Sequence, residues 1–178
     1  QTSDSWLDVA PMLTAAGLRV VAPDQRGYSP GARPGDVASY AVPRLVDDVT
    51  GLLDALGYDS AHVVGHDWGA AVAWSLTAHH PDRVRTLVAL SVPHLAAYGW
   101  ALVNDEDQKE RASSIGLMRT PGKAEEVLLA DDARRIRAMY DGVVPEDRVA
   151  TYVAAMREPG ALTAALSWYR AMGRDLSA

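Results

Sequence analysis

Hydrophobic positions in the first half of the chain form helical stripes separated by short, continuous apolar runs. A stripe with helical spacing covers Ser5 to Ala16, and a longer one covers Val42 to Leu56. Three apolar runs predict buried strands at residues 18–22, 61–65 and 84–91. Continuous apolar strands that alternate with helices are typical of a parallel sheet covered by helices on both faces. The pattern therefore predicts an α/β fold with a parallel sheet.

Beyond about residue 95 the pattern contains only helical stripes, which are interrupted at Pro121-Gly122 and at Pro159-Gly160. We therefore predict two domains, a partial α/β core over residues 1–95 and an all-helical cap over residues 96–178. Ligands of such sheets bind beyond the carboxyl ends of the strands. The cap is expected to cover the loops at that edge, and those loops are expected to meet.

The turn after the second predicted strand reads Gly65-His66-Asp67-Trp68-Gly69. Two glycines around an exposed tip residue, between a strand and a helix, are the pattern of a nucleophile elbow. Here the tip is Asp67, whose carboxylate is ionised at neutral pH because its ordinary pKa is about 4. A carboxylate attacks an sp³ carbon without the help of a base and leaves an alkyl ester on the enzyme. The structural alternative is an N-cap, a position at which aspartate is also preferred.

Hydrolysis of such an ester needs a water activated by a histidine–carboxylate pair, and backbone N–H donors for the oxyanion. The N–H of Trp68, directly after the tip, is predicted to be one of these donors. None of the five histidines is a convincing base. His94, which leaves the third predicted strand, is the best placed of them.

Five short stretches of the chain form a recognisable series of motifs. They are Pro-Asp-Gln-Arg-Gly-Tyr-Ser at 23–29, Val-Gly-His-Asp-Trp-Gly-Ala at 64–70, Leu-Ser-Val-Pro-His at 90–94, Glu-Pro-Gly at 158–160 and Trp-Tyr-Arg at 168–170. These stretches resemble the epoxide hydrolases of the α/β-hydrolase superfamily, and they occur in the order of that family. The elbow with its Asp-Trp pair is shared with haloalkane dehalogenases, whereas Trp-Tyr-Arg near the end of the chain is more specific for epoxide hydrolases.

This resemblance implies that Asp67 opens a small hydrophobic epoxide, and that the ester is hydrolysed to a diol without a cofactor. It also implies that Tyr169 of the cap donates a proton to the epoxide oxygen. The second cap tyrosine of the family corresponds to Ser114, a shorter side chain and a weaker acid, so oxygen activation is expected either to rest on Tyr169 alone or to be impaired. Four residues are expected at the oxyanion site or substrate pocket: Trp68, His66, His94 and Ser114.

Some parts of the family pattern have no counterpart in the sequence. They are the His-Gly-x-Pro turn, the catalytic acid and the water-activating histidine, so we expect the chain to be an internal piece of a longer protein. Two other functions stay open. One is a haloalkane dehalogenase that uses the same aspartate, with Trp68 holding the halide. The other is an incomplete fragment or binding scaffold that is alkylated once.

Composition excludes several classes of protein. A net charge of −6 without a basic cluster argues against a nucleic-acid surface. No apolar run approaches the roughly 18 residues of a membrane span, and no signal peptide is apparent. The lack of cysteine excludes disulfides and thiolate ligands and fits a cytoplasmic protein. No metal-binding pattern is present, so we predict an enzyme without metal or cofactor and leave its oligomeric state open.

Overall fold

The computed structural model describes residues 2–173 and contains two strands and nine α-helices in that range. In chain order the elements are α1 (Ala10–Ala15), α2 (Val42–Ala55), β1 (Ala61–His66), α3 (Trp68–His79), β2 (Val84–Leu90), α4 (Leu95–Asn104), α5 (Glu106–Arg111), α6 (Ser114–Met118), α7 (Lys123–Ala138), α8 (Glu146–Arg157) and α9 (Ala161–Ala171).

The described residues form two compact units. The first unit contains residues 2–35 and 119–169, and the second contains residues 36–118 and 170–173. Residues are assigned to the same unit when they lie close together in space. The boundary predicted at residue 95 follows the change from mixed to purely helical elements, and it stays a prediction.

In the second unit, β1 and β2 pair in parallel, with Gly65 opposite Ala89 and His66 opposite Leu90. Helix α3 connects the two strands and contacts both, and α2 contacts α3. Small side chains bring α3 close to the sheet, since Ala70 and Ala73 are fully buried. The strands predicted at 61–65 and 84–91 and the helix predicted from Val42 to Leu56 are therefore confirmed, each to within one residue.

The predicted strand at residues 18–22 is wrong. The N–H of Leu18 donates to the carbonyl of Leu13 at 3.1 Å, so this segment begins by closing α1. A strand exists only through hydrogen bonds to a neighbour, and within residues 2–173 β1 and β2 pair only with each other. The apolar run at 18–22 is consequently irregular.

The predicted helix from Ser5 to Ala16 is divided in two. A 3₁₀ turn covers Ser3–Trp6, and α1 begins only at Ala10. Pro11 explains the late start, because proline lacks an N–H and fits best in the first turn of a helix.

The predicted helical character of the second half is confirmed, since every element from residue 95 to residue 173 is a helix or a turn. Helix α7 contains a kink at residues 130–133, where Asp131, Asp132 and Ala133 have φ angles of 49°, 56° and 59°. The Asp132 carboxylate accepts a hydrogen bond of 2.6 Å from Arg157 and lies 3.1 Å from Arg137. This carboxylate therefore links the kink in α7 to the end of α8.

Candidate active site

The backbone at the turn after β1 has the geometry of a nucleophile elbow. Asp67 has φ 53° and ψ −123°, a conformation that side chains disfavour. A β-carbon on Gly65 would lie 2.3 Å from the carbonyl oxygen of Gly69, so only glycine fits there. The carbonyl of Asp67 accepts the N–H groups of Ala70 and Ala71 at 2.9 and 3.2 Å, which starts α3 directly at the tip.

The carboxylate of Asp67 is exposed and has one oxygen already engaged. Its Oδ1 accepts the N–H of Trp68 at 2.7 Å. The backbone N–H of Asp67 donates to the carbonyl of Leu90 at 3.2 Å, which ties the tip to the end of β2. Asp67 is thus both an N-cap and an exposed acid, with Oδ1 held by a backbone donor.

The loop after β2 is fixed to α3. Ser91 has a φ of 68°, so a second strained residue lies next to the elbow. The indole Nε1 of Trp74 donates to the carbonyl of Val92 at 3.1 Å, and the ring of His94 meets the indole edge-on with centroids 5.3 Å apart. The His94 Nδ1 accepts the N–H of Ala96 at 3.3 Å and caps α4. His94 is therefore engaged in the start of a helix.

Tyr98, which lies one turn into α4, was not predicted from the sequence. Burial raises the pKa of the Tyr98 hydroxyl, and the negative charge of Asp67 raises it further. The phenol therefore lies within electrostatic reach of the elbow and stays protonated at neutral pH. Tyr98 lies four residues after His94, on the first turn of a helix that leaves the edge of the sheet. This position is the signal that could have identified Tyr98 as a candidate site residue.

In the first unit, two of the stretches that carry the family resemblance, 23–29 and 168–170, contact each other, and the stretch at 158–160 contacts Arg33 in the same loop. Trp168 donates its indole N–H to the carbonyl of Arg26 at 2.9 Å, and its ring meets Tyr28 edge-on at 6.0 Å. Arg33 forms a 2.8 Å ion pair with Glu158. The loop at 23–34 is thereby joined to the turn before α9 and to α9 itself.

The predicted site residues are divided between the two units. Asp67, Trp68, His66 and His94 share one edge of the sheet in the second unit, where His66 ends β1 and is exposed. Ser114 is the exposed first residue of α6, also in the second unit. Tyr169 is the last residue of the first unit and is half-buried. The roles of these residues remain predictions.

Neither a metal-binding cluster nor a membrane-spanning helix occurs in the part of the chain that the structure describes. No group of three or more histidine, aspartate or glutamate side chains could hold a metal ion there. None of the helices within residues 2–173 is long and hydrophobic enough to cross a bilayer.

Residues 1–135 match the family described as alpha/beta hydrolase fold. The chain belongs to this family. The α/β-hydrolase class and the resemblance to epoxide hydrolases that were predicted from the sequence are thereby confirmed, because the relatives named below include epoxide hydrolases.

Two curated relatives and one crystal structure illustrate the similarity of this α/β-hydrolase to known proteins. It is 34% identical over 172 residues to the AB hydrolase superfamily protein YfhM of Bacillus subtilis, covering 94% of this chain and 60% of the relative. It is 41% identical over 143 residues to epoxide hydrolase A of Mycobacterium tuberculosis, covering 79% and 44%. The crystal structure of epoxide hydrolase A from Mycobacterium thermoresistibile superposes with a TM-score of 0.82 at 30% identity, covering 98% of this chain and 65% of that one. The chain therefore spans less than two thirds of each of these proteins.

Proposed function

We propose that this α/β-hydrolase opens epoxides by nucleophilic attack of Asp67 on an epoxide carbon. The observation that carries the proposal is the hydrogen bond of 2.7 Å from the Trp68 N–H to Asp67 Oδ1 at the tip of a strained elbow. With Oδ1 held by this donor, Oδ2 is the oxygen that attacks. The two similar proteins that are named epoxide hydrolases support the same reaction.

In the first step, Oδ2 of Asp67 forms a bond to one epoxide carbon while that carbon's bond to the ring oxygen breaks. The ring oxygen leaves as a developing alkoxide and needs a proton. By the family resemblance, Tyr169 is the proposed donor. Ser114 is less suited to this role, because an alcohol is a weaker acid than a phenol.

In the second step, water attacks the ester carbonyl carbon, and Oδ1 becomes the oxyanion of the tetrahedral intermediate. When this intermediate collapses, the bond between the carbonyl carbon and Oδ2 breaks, and the diol leaves with Oδ2 and the proton lost by water. The carboxylate of Asp67 is regenerated with one oxygen from water. The Trp68 N–H already lies at hydrogen-bond distance from Oδ1, so it stabilises the developing charge without reorganisation. The base for this step is not assigned to a residue of the chain. His94 uses Nδ1 as a helix cap, and within residues 2–173 no histidine forms an ion pair with a carboxylate.

The proposed substrate is a small hydrophobic epoxide and the proposed product is the corresponding diol. The attack needs neither an external nucleophile nor an oxidant, because the carboxylate supplies the electron pair. In the whole protein the ester is expected to be turned over.

The test is alkylation of the 178-residue chain by styrene oxide, followed by peptide mass spectrometry. We expect the peptide that contains Asp67 to gain the mass of the epoxide, and D67N to gain nothing there. Asp105 provides a matched control, since it is an exposed aspartate that caps α5 from an ordinary backbone conformation. D105N should be alkylated like the unsubstituted chain.

The same experiment separates the two halves of the reaction. Diol formation beyond one equivalent per chain would show that the chain also hydrolyses the ester. A stable adduct on Asp67 would show that it performs the first step alone. A chain without an adduct on Asp67, or with equal labelling of D67N, would contradict the proposed function.

A further inference from the structure

The start of α4 is held in place by hydrogen bonds to its cap. His94 Nδ1 accepts the N–H of Ala96 at 3.3 Å, and the carbonyl of His94 accepts the N–H of Tyr98 at 3.0 Å. Tyr98 is therefore fixed one helical turn beyond the loop that leaves β2.

That loop is in turn tied to the helix that begins at the elbow. Trp74 of α3 donates to the carbonyl of Val92 and packs its indole against the ring of His94. The N–H of Asp67 donates to the carbonyl of Leu90. Because these contacts lie within one compact unit, the backbone positions of Asp67 and Tyr98 are fixed relative to each other.

The Tyr98 hydroxyl is a proton donor whose hydrogen bond is unused. Its side chain is half-buried, and its pKa is raised by burial and then by the charge of Asp67, so it stays a phenol at neutral pH. Within residues 2–173 its hydroxyl makes no hydrogen bond to another residue. An unused O–H group within electrostatic reach of a nucleophilic carboxylate is suited to bind an oxygen of the molecule that this carboxylate attacks.

We propose that Tyr98 is a catalytic residue that donates its hydroxyl proton to the epoxide oxygen when Asp67 attacks. This inference rests on the proposed function and names a proton donor that lies in the same compact unit as Asp67. As Oδ2 of Asp67 bonds to carbon, the carbon–oxygen bond of the ring breaks and its electron pair stays on the oxygen. That oxygen takes the proton of Tyr98, and the tyrosinate regains a proton from water.

A proton donor and a merely structural residue can be distinguished by changing the leaving group. The loss of a proton donor slows the reaction only when the leaving group needs a proton. An epoxide releases an alkoxide, which needs a proton, whereas an alkyl bromide releases bromide, which needs none. Both electrophiles are attacked by the same carboxylate oxygen. Removal of the Tyr98 hydroxyl should therefore slow attack on the epoxide and leave attack on the bromide unchanged.

The experiment compares rate constants for alkylation of Asp67 in the 178-residue chain by styrene oxide and by phenethyl bromide. We expect Y98F to slow the epoxide reaction by about 100-fold, the usual contribution of a general acid, with the bromide reaction unchanged. Y98H retains an N–H donor and should recover part of the epoxide rate. Y58F removes a hydroxyl from the turn after α2, where the side chain is 38% exposed, and should change neither rate.

Each possible result decides for or against the role of Tyr98 or the proposed function. Equal rates of epoxide attack for Y98F and the unsubstituted chain would overturn the role of Tyr98 while the proposed function stands. Equal slowing of both electrophiles in Y98F and Y98H would show that Tyr98 only supports the fold, and would also overturn its role. Lack of any Asp67 adduct in the unsubstituted chain would overturn the proposed function itself and this inference with it.

Discussion

The indole N–H of Trp168 donates a hydrogen bond of 2.9 Å to the backbone carbonyl of Arg26. Trp168 is only 1% exposed, so this bond anchors one side of α9 to the loop at 23–34. The next residue, Tyr169, is rotated by about 100° around the helix axis and is half-buried. The buried tryptophan therefore sets the direction in which the proposed acid projects.

Replacing Trp168 with phenylalanine should lower the free energy of unfolding by about 1–3 kcal/mol. The substitution keeps an aromatic ring but removes the partly buried hydrogen bond from Trp168 and reduces the volume of a buried side chain. Urea denaturation of the 178-residue chain measures the change. The matched control is W100F, because Trp100 is 66% exposed and its loss should alter stability by no more than about 0.5 kcal/mol. Equal stability of both variants would show that the bond does not anchor α9.

Local patterns in the sequence were sufficient to predict the elbow and the elements around it. The two glycines and the apolar run before Asp67 restrict the backbone within a few residues, so no distant information was needed. The run at 18–22 has the same local character, yet it forms no strand because pairing depends on a neighbour that the run itself does not specify. Tyr98 was missed for a related reason, since its importance comes from proximity to a residue 31 positions earlier.

Gly65→Ala should destabilise the chain by about 3 kcal/mol or more. Its β-carbon would lie 2.3 Å from the Gly69 carbonyl oxygen, which belongs to the backbone and cannot rotate away. Gly51 offers the opposite case, because it lies exposed within α2 and has open space where an added methyl group would lie. Gly51→Ala should stabilise by about 1 kcal/mol through helix propensity. Thermal unfolding followed by circular dichroism tests both, and a stable Gly65→Ala variant would refute the tight elbow.

Asp67→Gly should raise stability while it abolishes alkylation. Glycine adopts φ 53° and ψ −123° without strain, which gains about 1–2 kcal/mol, and it costs only a few tenths of a kcal/mol as an N-cap. Asp105 caps α5 at φ −118°, so Asp105→Gly relieves no strain and should give no gain. Chemical denaturation compares the two variants. A destabilised Asp67→Gly variant would mean that the elbow stores no strain.

The Asp132 carboxylate should contribute stability only above acidic pH. Its hydrogen bond from Arg157, and then the charges of Arg137 and Arg157, lower its pKa. Because the pKa is lower in the folded state, this stability is present above the ordinary value of about 4 and is lost as the pH falls through the folded value. Asp132→Asn should therefore lower Tm at pH 7, and this effect should shrink steadily as the pH falls below about 4. Asp131→Asn is the control, since its 3.6 Å pair with Arg134 is exposed and should matter little at any pH.

The exposed face of the sheet should make the isolated 178-residue chain self-associate. Val64 and Val88 lie opposite each other in the parallel ladder and are 42% and 46% exposed, and adjacent exposed valines on a sheet form an apolar patch. Replacing both with threonine keeps their β-branched shape and should shift the chain toward monomer in sedimentation velocity. Val143→Thr is the control, because Val143 is 82% exposed in a turn outside the sheet. A monomeric unsubstituted chain, or equal association of the double variant, would show that this face does not drive association.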